Sequence, residues 1–343
     1  MTVLTRRHII NTAAAWMPLR YLVRKSPFRL VMPFWHCVAD ETPPHIRNLY
    51  LARDTRSFRR DMEKLVKYFK PVSASDVLKH VTGERPLKEP SMLLSFDDGL
   101  REAAEVIAPI LSEMGIPAVF FVNTAFVDNR DMFYRFRISL LIDRLRQMKS
   151  KEVIYEIISG RIPANIGSDK QLCRYLLGLE YQDSLKINEL AELFEIDFTT
   201  YLKMRKPYMT GEQISSMIEQ GFDIGAHSID HPLFARLTLE EQIRQTRESL
   251  DWLRGNFRTG TACFAFPFTD DGVSREFFEE IFSDHPGNPD LTFGTAGLKN
   301  DVWPRHLQRI HAGSSPMGTK GLIKSEYLLY YMKKIAGKHF VNR

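Results

Sequence analysis

The sequence predicts an α/β fold on a parallel sheet, closed as a barrel or open, because short apolar runs alternate with segments of helical periodicity. Strands are expected at Leu30 to His36, Met92 to Phe96, Ala118 to Val122, Asp223 to Ala226, Ala262 to Phe266 and Leu291 to Thr295. Between them Phe58 to Phe69, Glu102 to Met114, Glu212 to Glu219, Leu239 to Leu253 and Ser274 to Phe282 carry apolar residues at three- and four-residue steps, the spacing of one helix face. A chain of 343 residues with 44% hydrophobic content can bury the core of one large domain, or of one domain with an insertion.

The alternation fails in one place. Residues 129–205 read as helical or irregular throughout, with Phe133, Phe136, Leu140, Leu141 and Leu145 marking an amphipathic helix. This stretch is expected to be a helical insertion, outer helices of the same domain being the alternative. The expected division is a basic N-terminal segment (1–28), two parts of one barrel (29–128 and 206–343) around the insertion (129–205), and a C-terminal helix near Leu322 to Ile335 with one face on the domain.

The net charge of +5 is concentrated at one end. Arg6, Arg7, Arg20, Arg24, Lys25 and Arg29 precede the first acid, Asp40, and removing those six from the net +5 leaves −1. A nucleic-acid protein carries its positive charge on the folded domain, so no nucleic acid is expected as partner. Cys37, Cys173 and Cys263 are odd in number and far apart, which argues against a disulfide framework or a cysteine metal site. No stretch reaches the ~20 apolar residues of a membrane span. Arg6 and Arg7 resemble a twin-arginine export signal, but Arg20 and Arg24 interrupt the apolar region that should follow, so a cytoplasmic location is favoured over export. The basic N-terminal helix either packs on the domain or lies peripherally on an anionic membrane face.

Two stretches carry chemistry. In Leu93-Leu94-Ser95-Phe96-Asp97-Asp98-Gly99 an apolar strand ends in two carboxylates, at the strand end where parallel α/β folds gather their active sites. An Asp-Gly turn would explain the motif alone. Two adjacent carboxylates repel, however, and a cation bound to one removes that cost. In Asp223-Ile224-Gly225-Ala226-His227-Ser228-Ile229-Asp230-His231-Pro232 a second strand ends in two histidines, expected on a loop before a helix starting at Pro232. Alone, these would read as surface histidines capping a helix, with Asp230 a solvated or capping acid. Together the stretches supply two imidazoles and a carboxylate, which suits Zn2+ and also Co2+, Ni2+ or Fe2+.

Phe96-Asp97-Asp98-Gly99 followed by His227-Ser228-Ile229-Asp230-His231 resembles the polysaccharide deacetylase family of metal-dependent carbohydrate esterases. Met32 to Asp40, Gly115 to Val122, Phe264-Ala265-Phe266-Pro267-Phe268, Phe293-Gly294-Thr295 and Leu307-Gln308-Arg309-Ile310 are similar to further segments of that family. The resemblance covers 29–128 and 206–336 but not the insertion. It implies a distorted (β/α)7-type barrel with the helical insertion between the Asp-Asp and His-x-x-x-His motifs. It also implies Asp98, His227 and His231 as metal ligands and Asp97 as the base. His311 would be the acid, with His306 and His36 behind it, and His36, Pro267, Phe268 and Arg309 would contact substrate, Phe268 through its N–H. The expected substrate is an N-acetyl (or O-acetyl) sugar of a bacterial glycan or a lipid-linked precursor. A two-histidine, one-carboxylate iron enzyme and an inactive glycan-binding relic are the alternatives. The chain departs from the family in having Cys263 and Phe264 where an arginine that orients Asp97 would precede the aromatic-proline motif; Arg309 is the candidate to reach Asp97 in its place.

Overall fold

The computed structural model describes residues 3–148, 160, 162–163, 166–313 and 317–342. Its strands, in chain order, are β1 (Leu30–Val31), β2 (Pro33–Trp35), β3 (Lys70–Pro71), β4 (Ser91–Met92), β5 (Leu94–Phe96), β6 (Ala118–Val122), β7 (Asp223–Ala226), β8 (Cys263–Ala265), β9 (Leu291–Gly294), β10 (His306–Gln308) and β11 (Ile310–His311). The runs expected as single strands at Leu30 and at Met92 are each broken in two. Their first halves join a small β1-β4-β3 sheet, and their second halves enter the main parallel sheet, ordered β10-β9-β8-β7-β6-β5-β2-β11.

The ends of that sheet are one stretch of chain. β10 pairs with β9 and β11 with β2, and only Arg309 separates them. The Arg309 N–H donates to the Gly294 carbonyl and the Ile310 N–H to the Met32 carbonyl, 3.1 and 2.8 Å apart. The last strand therefore bridges both edges and closes the sheet into a distorted (β/α)7 barrel, which leaves no long edge for another chain to pair with.

Strand alternation sorts the side chains. Met32, Leu93, Val119, Phe121, Cys263, Ala265, Leu291 and Phe293 form one buried cluster inside the barrel, with Leu307 against it. Trp35, Leu94, Phe96, Phe120, Val122, Ile224 and Phe264 face outward into the layer covered by helices. Gly225 is required in β7, because a Cβ there would lie 2.6 Å from the Phe121 ring and 2.8 Å from the Cys263 carbonyl. Two or four residues further along each strand, the inward positions become His36, Asp97, His227 and Arg309, and polar chemistry replaces hydrocarbon.

The outer helices start where the sequence offers caps. Asp54 accepts from the Ser57 N–H ahead of Thr55–Leu65, and Thr210 forms a reciprocal capping box with Gln213 ahead of Gly211–Glu219. Leu239–Asn256 has Thr238 as its cap, acids Glu240 and Glu241 in its first turn and Arg254 in its last, matching the helix dipole. The helix expected from Pro232 is absent: only a short 3-10 turn, Phe234–Arg236, precedes it. The N-terminal helices Val3–Trp16 and Leu19–Lys25 lie on the C-terminal helix Gly318–Ile335, where Leu19, Leu22 and Val23 share a core with Leu322, Ile323, Tyr327 and Tyr330. No described helix is long and apolar enough to cross a membrane.

Between β6 and β7 the chain adds the helices Tyr134–Gln147, Asp169–Leu177, Ser184–Leu193 and Phe198–Arg205, while 149–159 lie outside the described residues. Phe136, Leu141, Leu145, Leu172, Leu176, Ile187, Leu190 and Phe194 give these helices an apolar cluster of their own. It is rooted on the barrel through Cys37, Ile46, Leu100, Phe126 and Tyr208, which the same cluster contains. The insertion thus stands over the strand ends that carry the polar residues.

Candidate active site

Asp97 follows β5 on its inward-facing register and is buried. Arg309 grips it with both arms of the guanidinium: Nη1 lies 2.7 Å from Oδ1 and Nη2 2.8 Å from Oδ2. A third bond runs from Nη1 to the Ser95 hydroxyl at 3.1 Å. The guanidinium also sits 4.3 Å from the Phe34 ring centre and 5.2 Å from that of Phe121, so its faces are packed while each nitrogen of its edge has an acceptor. Burial by itself would raise the Asp97 pKa, but Arg309, with His227 and His36, outweighs it and holds the carboxyl below the usual carboxylate range. Asp97 is therefore an anion at neutral pH. Arg309 is fully buried, so it serves Asp97 and is not the substrate contact the family resemblance implied.

Asp98 turns away from Asp97 because its backbone is left-handed, with φ 74°. Its Oδ1 lies 3.2 Å from His231 Nε2 and 3.6 Å from His227 Nε2. Each of the three side chains is buried. Asp98 Oδ1 has no hydrogen-bond partner among the described residues, an expensive state for a buried carboxylate oxygen unless something else is bound there. His227 donates from Nδ1 to the Ala265 carbonyl at 2.8 Å, which fixes the tautomer and leaves Nε2 with a free lone pair. Burial pushes the His227 pKa down to about 4, so its imidazole is neutral at pH 7, as a ligand must be. One carboxylate and two imidazoles, with donor atoms within 4.8 Å of one another, fit a divalent metal.

The loop between the histidines is bent rather than helical. Ser228 and His231 have φ 68° and 65°, and Phe268 beside them has φ 58°. With Asp98, four of the eight left-handed non-glycine residues among those described surround this one site. Such conformations cost energy and survive where the surroundings enforce them. Here the Ser228 hydroxyl accepts from the His231 N–H at 3.0 Å, and Gln245 accepts from the Ile229 N–H at 2.9 Å. Asp230 accepts from the Tyr181 hydroxyl at 2.5 Å and from Gln245 Nε2 at 2.8 Å, so it ties the loop to the insertion and to the helix Leu239–Asn256 instead of facing solvent. The His231 ring packs on Phe133 at 4.1 Å and Phe268 at 4.7 Å between centres.

At the mouth of the barrel, His311 lies on the same strand face as Arg309 and is exposed. Its ring is 5.3 Å from that of His36 and 5.1 Å from that of Phe34. His36 is near enough to lower the pKa of both aspartates. His306 is elsewhere. Three residues before Arg309, it points out of the barrel, with Nδ1 2.7 Å from Thr292 Oγ1 and Nε2 3.0 Å from Asp270 Oδ2, packed against Phe266 and Phe278. It is thereby removed as a candidate acid. The second cluster of metal-type side chains, Asp270, Asp301 and His306, is this same network; Gln308 donates to Asp270 at 2.8 Å and the Thr295 N–H donates to its other oxygen at 3.0 Å.

The family model described as polysaccharide deacetylase matches residues 84–157 and 186–277, a span that contains both the Asp97-Asp98 and the His227-His231 motifs. The chain belongs to the polysaccharide deacetylase family. Solved structures with the same fold include the Streptococcus pyogenes deacetylase PplD in complex with acetate (14% identity, 88% of this chain and 99% of that one, TM-score 0.53). IcaB from Ammonifex degensii is also similar (16% identity, 87% and 96% covered, TM-score 0.53), as is a de-N-acetylase from Aggregatibacter actinomycetemcomitans (15% identity, 85% and 99% covered, TM-score 0.50). No curated protein matches the sequence. As a polysaccharide deacetylase, the chain is a hydrolase of carbon–nitrogen bonds other than peptide bonds, and its substrate is an acetylated glycan.

Within this polysaccharide deacetylase, sequence reasoning missed Tyr181, Gln245 and Phe133. Gln245 had a signal: it is a fully buried amide on a helix whose other inward positions include Leu250 and Leu253. Tyr181 and Phe133 carried none, since nothing in their neighbourhood says which loop they will meet.

Proposed function

We propose that the chain removes acetyl groups from N-acetylated sugars of a bacterial glycan or its precursor by metal-assisted hydrolysis. The observation that carries this reading is a buried, unpartnered Asp98 oxygen facing two imidazole Nε2 atoms, beside a second carboxylate that is not part of the ligand set. That second carboxylate separates the reading from an oxygen-activating iron site, which has no need of a fixed base.

Asp98, His227 and His231 would hold the ion, Zn2+ being the first choice for this donor set. A divalent ion there supplies Lewis-acid polarisation of the acetyl carbonyl and acidifies water. Asp97, an anion fixed by Arg309, takes the proton of the attacking water. The Phe268 N–H stands by the developing oxyanion. His311 delivers a proton to the departing amine, with His36 beside it, and Pro267 and Phe268 shape the wall against the acetyl group. Protein loaded with Zn2+ is expected to release acetate from an N-acetylated oligosaccharide, to stop after treatment with a chelator, and to recover on adding Zn2+ back. Acetate release that persists in metal-free protein, verified by elemental analysis, would sink the metal reading.

For location we propose a cytoplasmic protein held peripherally on an anionic membrane face, the setting of a lipid-linked precursor. Lys64, Lys67, Lys320 and Lys324 surround one surface cavity next to Asn11 and Ala15, and Trp16 beside it is 87% exposed. Basic side chains near an anionic surface contribute about 1 kcal/mol each, and tryptophan favours the interface. The chain should co-sediment with phosphatidylglycerol vesicles at low salt, and Lys320→Glu with Lys324→Glu should release it. Equal sedimentation with neutral phosphatidylcholine vesicles would count against the idea.

A further inference from the structure

The two histidine ligands are held in different ways. The His227 ring is fixed by its own hydrogen bond, from Nδ1 to the Ala265 carbonyl. Its side of the loop is also seated on the chain leaving β6: the Asn123 amide donates to the His227 carbonyl, and the Thr124 and Ala125 N–H groups donate to the carbonyls of Ser228 and Ile229 at 3.3 and 2.9 Å. The His231 ring has no such bond. Its Nδ1 is buried without a hydrogen-bond partner among the described residues, whereas a metal-ligating imidazole almost always donates from its second nitrogen. Its backbone, at φ 65°, is left-handed, a conformation that costs energy and persists where the surroundings enforce it.

Two of the contacts that confine this half of the loop come from the insertion. The Phe133 ring packs 4.1 Å from that of His231, and the Tyr181 hydroxyl donates to Asp230 Oδ2 at 2.5 Å, across 49 residues of sequence. Burial and the Asp230 carboxylate push the Tyr181 pKa up, so the hydroxyl keeps its proton and remains a donor. From the barrel side Gln245 Nε2 holds Asp230 Oδ1 at 2.8 Å. Asp230 is thus gripped from two sides, one residue before the ligand.

We propose that Tyr181 is a positioning residue for the metal site: through Asp230 it fixes the backbone that presents His231, so that retention of the ion depends on the insertion. The proposal rests on the metal-hydrolase reading and deepens it. Since no hydrogen bond orients the His231 ring, its direction is set by its backbone and its packing. Without the Tyr181 hydroxyl, Asp230 keeps only its bond to Gln245, and the loop that aims His231 Nε2 at Asp98 loosens at its weaker end. Outer partners that orient a metal ligand are commonly worth 10–100-fold in metal affinity.

The test is the affinity of the full-length protein for Zn2+, measured by competition with a chromogenic chelator. Tyr181→Phe deletes one oxygen and should raise the Kd about tenfold or more. Tyr201→Phe is the control: it removes another hydroxyl contact between insertion and barrel, 3.0 Å from His45 Nδ1, and should leave the Kd unchanged. Asp230→Ala should weaken binding at least as much as Tyr181→Phe does. The double variant should then bind no more weakly than Asp230→Ala, because Tyr181 has no partner left to act through. If Asp230→Ala does not fold, the comparison of the two tyrosine variants decides. An unchanged Kd in Tyr181→Phe, an equal loss in Tyr201→Phe, or additive losses in the double variant each overturn the proposal and leave the hydrolase reading intact. Wild type that binds no Zn2+, or that binds it no better than Asp98→Ala, ends the metal reading itself.

Discussion

Asp97→Asn is expected to lower kcat by about 10²–10⁴-fold, the usual worth of a positioned general base, while the protein keeps its full complement of metal. The division follows from where the two carboxylates point. Asp98 faces both imidazoles, at 3.2 and 3.6 Å, whereas both oxygens of Asp97 are held by Arg309. Asparagine has nearly the same shape, so the ligand set is untouched, while proton acceptance is lost together with one arm of the Arg309 grip. Elemental analysis together with an acetate assay checks both halves. A variant with bound metal and near wild-type turnover would remove Asp97 as the base; one that loses its metal would mean that the two acids share the ion.

The second large effect is on stability. Arg309→Met should destabilise the fold by about 3–5 kcal/mol, because it leaves the buried Asp97 carboxylate without its counter-charge. Arg309 is also the residue at which the last strand passes from pairing with β9 to pairing with β2, so a strained carboxylate here loosens the barrel at its closure. Combining Arg309→Met with Asp97→Asn should recover much of the loss, since no unpaired charge then remains buried. Arg309→Lys should fall between, keeping the charge but losing the two-armed grip. Urea unfolding midpoints of wild type, the two single variants, the double variant and Arg309→Lys measure these differences. If the double variant is as unstable as the two single losses added together, the pair is not coupled and the account of Arg309 is wrong. Removing Arg309 should cut activity as well, because Asp97 is then free to swing toward His227.

Much of the site was legible because its residues sit where strands end. Apolar runs predict buried strands, and the residue after such a run in a parallel α/β fold arrives at the mouth of the sheet, which is how Asp97, Asp98 and His227 stand out before any coordinates. Other features were not legible. Arg309 lies 212 residues from Asp97, and nothing in Leu307-Gln308-Arg309-Ile310 says that Arg309 points inward and His306 outward. That is decided by the register of β10 on β9, and a shift of one residue would exchange the two. The helix expected at Pro232 failed for a related reason. His231 is drawn into a left-handed conformation by Ser228 and by its rings on either side, and the chain needs the residues up to Thr238 to recover a cap.

By itself the sequence determined the kind of sheet, the order of the two ligand-bearing strand ends and the interruption between them, since these depend on local periodicity and on which residues stand beside which. Only the tertiary structure decided the partner of Asp97, the exclusion of His306, and the meeting of Tyr181 and Phe133 with the histidine loop. Those outcomes depend on closing a ring of strands and seating an insertion above it, and both bring together side chains that share no neighbourhood along the chain.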